Sequence, residues 1–175
     1  MWKNIVVVCT ALLCLASAHA TDTRKIVFVD TGNTGRSVSA EAIANALIAK
    51  DGLPIAVISR AVDLNPFFVH PEANVVTILQ ARGMDVRSHL AAQITVNDVR
   101  HADLILTMTA KHKDRLLEMF PEARQKIYTL TEYATGTSQE IADAYGQSME
   151  FYENMFRQLD TYVPLALEKA LKSTP

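Results

Sequence analysis

Apolar and polar positions along the chain fall into short blocks whose period switches between strand-like and helix-like. Lys25 to Val29 is an almost wholly apolar run that predicts a strand buried on both faces. Ser37 to Lys50 predicts a helix, stopped by Gly52 and Pro54. Ile55 to Ser59 predicts a second strand, and Pro71 to Arg82 a helix with Gly83 as its C-cap. Asp103 to Met108, continuous in apolar residues, predicts a third strand. Ala110 to Phe120 predicts a helix ended by Pro121, and Lys126 to Leu130 a fourth strand. A long loop leads to a closing helix, Ser148 to Leu171, in which Pro164 is a site for a kink. Strands alternating with helices predict an α/β fold: three layers, α/β/α, around a four-stranded parallel sheet. Ligands of such sheets bind at the carboxyl ends of the strands.

The N-terminus follows a different pattern. Met1-Trp-Lys-Asn4 carries a positive charge, Ile5 to Ala16 is apolar, and Ala18-His-Ala20 is an A-x-A triplet before the polar Thr21. This is a secretory signal peptide, with cleavage expected between Ala20 and Thr21 and export to the periplasm or medium. The apolar run is too short for a bilayer-spanning anchor, and Leu13 before Cys14 does not suit a lipoprotein signal. Residues 21–175 suffice for one domain with a full core. The formal charge of the whole chain is −2, which gives no reason to expect a nucleic acid or, after signal removal, a membrane as partner. Both cysteines, Cys9 and Cys14, lie in the signal segment. The mature chain therefore has no thiol, disulfide or Cys-based metal site. His70, His101 and His112 show no metal-ligand spacing and read as structural or surface residues, so neither a metal nor a cofactor is expected.

The segment Ile26-Val-Phe-Val-Asp-Thr-Gly-Asn-Thr-Gly-Arg-Ser37 carries the strongest functional signal. A strand ends in a loop of glycines and small polar residues, and a helix begins at once. Gly32 and Gly35 allow backbone angles that turn successive N–H groups inward as an anion-binding nest. The helix starting near Arg36-Ser37 adds its free N–H groups and the positive end of its dipole. Arg36 offers a planar fork for two phosphate oxygens. No lysine follows a glycine in the Walker manner, which argues against a nucleoside triphosphate site.

Asp30-Thr-Gly-Asn-Thr-Gly-Arg-Ser37, followed by Ala40-Glu-Ala42, resembles the phosphate-binding loop of the low-molecular-weight protein tyrosine phosphatases, which reads Cys, five residues, Arg, Ser/Thr. The resemblance continues through Gly83-Met-Asp-Val-Arg-Ser-His89, Ala102-Asp-Leu-Ile-Leu-Thr-Met-Thr109 with His112, Leu130-Thr-Glu-Tyr-Ala134 and Ile141-Ala-Asp-Ala-Tyr-Gly146. It matches the last two segments to the fourth strand and the acid loop. It implies a phosphate site built from Thr31, Gly32, Asn33, Thr34, Gly35, Arg36 and Ser37. It places the nucleophile at Asp30, the phosphate clamp at Arg36 and the general acid at Asp143. Asn33 and Ser37 brace the loop, His89 partners Asn33, and Tyr145 lines the pocket wall.

The departures from that pattern decide what to expect of the chemistry. Asp30 stands in place of the nucleophilic cysteine, Gly35 in place of a second cysteine, Val38 in place of a proline, and Ala144 in place of the proline beside the acid. A thiolate is a strong soft nucleophile, whereas a carboxylate is a weaker one and a good acceptor for the loop's own N–H groups. The leading expectation is a catalytically impaired phosphatase that binds phosphate, another oxyanion or a phosphorylated group. A second is an active phosphomonoester hydrolase with Asp30 as nucleophile and Asp143 as acid. A third is a pure interaction module.

Overall fold

The computed structural model describes residues 23–173, so the expected signal segment and the expected cleavage site lie outside the described residues. The described chain runs β1 (Arg24–Asp30), α1 (Arg36–Asp51), β2 (Ile55–Ala61), α2 (Ala73–Ala81), α3 (Val96–His101), β3 (Leu104–Thr107), α4 (Ala110–Met119), a 3₁₀ turn (Pro121–Lys126), β4 (Ile127–Thr129), α5 (Leu130–Thr135) and α6 (Met149–Lys172). The four strands form one parallel sheet in the order β2-β1-β3-β4. The expected three-layer α/β/α architecture is present.

The apolar run of β1 serves both faces of the sheet, because successive side chains of a strand point opposite ways. Ile26 and Phe28 join a core with Val38 and Ile43 of α1, Leu79 of α2, Leu130 of α5 and Phe156 and Leu159 of α6. Val27 and Val29 join a second core with Val99 of α3, Leu116 of α4, Phe120 and Ile127. Continuous apolar strands covered on both sides follow directly from this double burial.

Two helices escaped the sequence reading, and both are set by local capping. Thr95 accepts the N–H of Asp98, whose carboxylate accepts the N–H of Thr95, and this capping box starts α3. Thr129 and Glu132 form the same reciprocal pair at the start of α5. The expected fourth strand through Leu130 is thereby corrected: β4 ends at Thr129, and Leu130-Thr-Glu-Tyr-Ala134 is helical. Helix α2 is shorter than expected, with Arg82 at its C-cap and Gly83 following at φ 78°. Helix α6 continues through Pro164.

The chain leaves β1 toward β2 on one side and later returns to β3 on the other, so the sheet order reverses direction between β1 and β3. The loop after β1 lies at this switch point, where α/β sheets open a crevice. Met108 N–H donates to Val29 O (3.0 Å) and Ile141 N–H to Met108 O (3.0 Å), which ties the loop carrying Asp143 to the same edge.

Candidate functional site

Asp30 closes β1 and is almost wholly buried. Its Oδ1 accepts the Asn33 N–H at 2.5 Å, and its Oδ2 accepts the Ser37 N–H at 2.9 Å. Gly35 at the N-cap of α1 has no side chain to offer. Asp30 therefore caps α1 from across the loop, satisfying a donor that the first turn leaves free and placing a carboxylate at the positive end of the helix.

Asn33 is the hub that fixes the loop. It is fully buried and sits at φ 59°, a left-handed conformation in which Asn is tolerated. Its Nδ2 donates to Ser37 Oγ (3.0 Å) and Ser59 Oγ (2.8 Å), and its Oδ1 accepts the Ala92 N–H (3.1 Å). Ser59 passes the network on to Glu41. His89 Nε2 lies 3.1 Å from Asn33 O, so the expected pairing of these residues is present through the backbone carbonyl.

Arg36 is the first residue of α1 and is largely buried. Its Nη2 donates to Asp143 Oδ2 at 2.9 Å. Asp143 is exposed, and its Oδ1 accepts the Tyr145 N–H at 3.2 Å. The acid loop is pinned by its buried neighbours Ile141 and Ala144, while Tyr145 is 62% exposed at the pocket rim. Asp30, Arg36, Asp143 and Tyr145, with Thr31, Gly32, Thr34, Gly35, Asn65, Phe68 and Glu72, line one cleft of about 280 Å³. Among the described residues, no group of His, Cys, Asp and Glu side chains is arranged to hold a metal ion.

Three residues that line the cleft, Asn65, Phe68 and Glu72, lay outside the sequence reading, as did Tyr152, which holds Glu72. Glu72, at the N-cap of α2, donates its backbone N–H to Thr34 O (3.0 Å), and Tyr152 OH donates to its Oε2 at 2.5 Å. Burial pushes the Glu72 carboxyl above its usual range; the Tyr152 hydrogen bond works the other way, and the charges of Asp143 and Asp30 add to the rise. The Tyr152 hydroxyl is itself pushed up by burial and by Glu72. His112, read as structural or surface, is buried, with Nε2 2.8 Å from Thr31 Oγ1. Its Nδ1 has no hydrogen-bond partner among the described residues. Burial, and then the charge of Arg36, lower its pKa below 6.5. His70 and His101 are exposed.

The arrangement is a loop closed around the Asp30 carboxylate at a helix N-terminus, one arginine and a second carboxylate reaching over from a separate loop. The family model for low molecular weight phosphotyrosine protein phosphatases matches residues 25–174. A protein-arginine-phosphatase of Geobacillus stearothermophilus is 32% identical over 145 residues, covering 83% of this chain and 95% of that protein. The low molecular weight protein-tyrosine-phosphatase PtpB of a Staphylococcus epidermidis strain is 36% identical over 136 residues, covering 77% and 91%. A solved structure of the YwlE arginine phosphatase, a Cys-to-Ser variant with a phosphorylated active-site serine, superposes with a TM-score of 0.80 at 30% identity, covering 85% of this chain and 97% of that one. The chain belongs to the low molecular weight phosphotyrosine protein phosphatase family.

Proposed function

We propose that this protein is an exported, catalytically impaired phosphatase that binds a phosphorylated side chain through the loop from Asp30 to Ser37. One observation carries the reading: the Asp30 carboxylate accepts the backbone N–H groups of Asn33 and Ser37. Asp30 thus acts as a resident anion in part of the nest and stands where a thiolate would be needed. The phosphoryl group lies against Thr31, Gly32, Thr34 and Gly35, with Arg36 as its side-chain ligand, and enters past Phe68 and Tyr145. Relatives named for arginine and for tyrosine phosphatase activity suggest a phosphorylated arginine or tyrosine side chain as the occupant.

Calorimetry with inorganic phosphate tests the site. The Arg36→Ala variant should lose about 1.5–3 kcal/mol of binding, the worth of a hydrogen bond to a charged group. Equal affinity in the two proteins would remove Arg36 from the site. Export is tested by sequencing the N-terminus of the protein from the extracytoplasmic fraction, which should begin at Thr21.

A second reading is favoured by one observation, the phosphorylated serine in the related variant structure. In that protein an oxygen at the active site carries a phosphoryl group. Here the corresponding step is attack of an Asp30 oxygen on phosphorus, cleavage of the bond to the leaving group, and protonation of the leaving atom by Asp143. Water then hydrolyses the aspartyl phosphate and returns Asp30 and inorganic phosphate. This needs Asp30 to leave its hydrogen bonds with Asn33 and Ser37. Trapping a phosphorylated Asp30 during turnover would establish it.

A further inference from the structure

Glu72 lines the same cleft as Asp30. A Cβ placed on Gly35 would fall 2.5 Å from Glu72 Oε1, so the carboxylate occupies space that opens because residue 35 has no side chain. Tyr152 OH holds the other oxygen, Oε2, at 2.5 Å. The contact of Oε1 with the Thr34 hydroxyl is long, 3.5 Å, which leaves that oxygen free to accept a stronger bond. The cleft thus presents the carboxylates of Asp30, Glu72 and Asp143 around a single guanidinium, Arg36. A doubly charged phosphate entering alone adds to an excess of negative charge. A phosphoryl group carried on a cation brings its own compensation.

We propose that Glu72 is a specificity-determining residue of this pocket, whose carboxylate accepts an N–H from the group bearing the phosphoryl moiety and so selects a phosphorylated guanidinium over a phosphorylated phenol. The inference rests on the reading that the pocket takes a phosphorylated side chain. The chemistry is one-sided. A guanidinium nitrogen retains N–H donors and positive charge beside the phosphoryl group, and its bond to a carboxylate is charge-assisted. A phenyl phosphate has no donor at that point, so its ring would further desolvate Glu72 without pairing it. Sites built around a buried polar group reject ligands that leave it unpaired. Tyr152 and Gly35 position the carboxylate; neither touches the ligand through a side chain in this role.

The selectivity should fall on acidification, because a protonated Glu72 loses the charge that favours the guanidinium. The groups that face Glu72 are Asp30, Arg36, Thr34 and Asp143 from the loops and Tyr152 from α6.

The test is calorimetric binding of free phosphoarginine and free phosphotyrosine to the wild-type protein, Glu72→Gln and Tyr152→Phe, with folding checked by circular dichroism. Wild type should prefer phosphoarginine. In Glu72→Gln the preference should shrink by about tenfold or more, chiefly through weaker phosphoarginine binding, as when a charge-assisted hydrogen bond is lost. Tyr152→Phe should shrink it less, because the carboxylate remains but is no longer held. A folded Glu72→Gln protein that binds both ligands with an unchanged ratio would overturn the role of Glu72 and leave the pocket reading standing. Failure of wild type to bind either ligand would overturn the pocket reading and this proposal together.

Discussion

Asp143 Oδ2 accepts a hydrogen bond from Arg36 Nη2 at 2.9 Å, so the candidate acid is paired with the candidate phosphate clamp. The two residues are far apart in sequence and come together because the acid loop hangs from the end of β3 beside the loop after β1. The pair is unequal: Arg36 is nearly buried, while the Asp143 side chain is 60% exposed. Solvent screens it, and an incoming oxyanion competes with Asp143 for the same guanidinium.

Removing that competitor should help binding. Asp143→Asn keeps the shape of the loop and deletes a negative charge. Phosphate affinity should rise about two- to fivefold at low salt, the worth of a partly exposed ion pair. Calorimetry at two ionic strengths checks this, and the gain should diminish at high salt. Weaker binding in Asp143→Asn would mean that the carboxylate organises the site and does not compete for it.

The loop should owe its shape to Asn33 more than to its glycines. Asn33→Ala removes two donors and an acceptor from a buried network and places alanine at φ 59°. The hydrogen-bond loss and the left-handed backbone together should cost about 3–5 kcal/mol. Asn33→Gly relieves the backbone strain but not the lost bonds, and should cost roughly 1–2 kcal/mol less. Urea unfolding of both variants separates the two contributions. Equal losses would assign the whole effect to the side-chain bonds.

A pH dependence follows from His112. Its folded pKa is lowered from 6.5, first by burial and then by Arg36, so folding favours the neutral ring. For a base whose folded pKa is depressed, the contribution is present above the unfolded value and is lost as pH falls through it. Protein stability should therefore drop as pH falls through 6.5 toward the lower folded value, because the unfolded chain takes up a proton that the folded one resists. His112→Gln should flatten that part of the profile in chemical denaturation. Glu72 works in the opposite sense: burial raises its folded pKa, so its contribution grows as pH falls through the folded value toward 4.5, and Glu72→Gln should remove that gain.

How much of this was legible in the sequence depends on how local the cause was. The strands Lys25–Val29 and Asp103–Met108 declared themselves because burial on both faces demands an unbroken apolar run. The loop from Asp30 to Ser37 declared itself because a nest and a helix start are contiguous in sequence. Helix α5 did not, although Thr129 and Glu132 spell its capping box: an apolar run ending at Leu130 favours a strand until the reciprocal bonds are seen. Glu72 and Tyr152 could not be read at all. Glu72 sits at an ordinary helix start, and its place in the pocket depends on a missing side chain at Gly35 and on a hydroxyl from α6. Tertiary proximity of that kind leaves no periodic trace.

The site should lack only its nucleophile. Arg36, Ser37 and Asn33 keep the loop geometry, and Asp143 lies within reach of the cleft. Asp30→Cys places a thiol against the Asn33 and Ser37 N–H groups and the N-terminus of α1, surroundings that lower a thiol pKa and favour the thiolate. Wild type should turn over phosphorylated substrates only marginally, and Asp30→Cys should gain activity that is abolished by thiol alkylation. In that background Arg36→Ala should reduce turnover by about 10²–10³-fold, as loss of a charge-stabilising donor does. Asp143→Ala should reduce it by about 10²-fold or more through loss of the general acid. The penalty of Asp143→Ala should shrink for substrates whose leaving group needs no proton, which distinguishes an acid from a mere loop anchor. If wild type turns over substrate robustly and Asp30→Asn abolishes it, the carboxylate is a working nucleophile and the impaired-phosphatase reading falls. A folded Asp30→Cys protein that neither turns over substrate nor binds phosphate would show that the loop no longer presents its donors to a ligand.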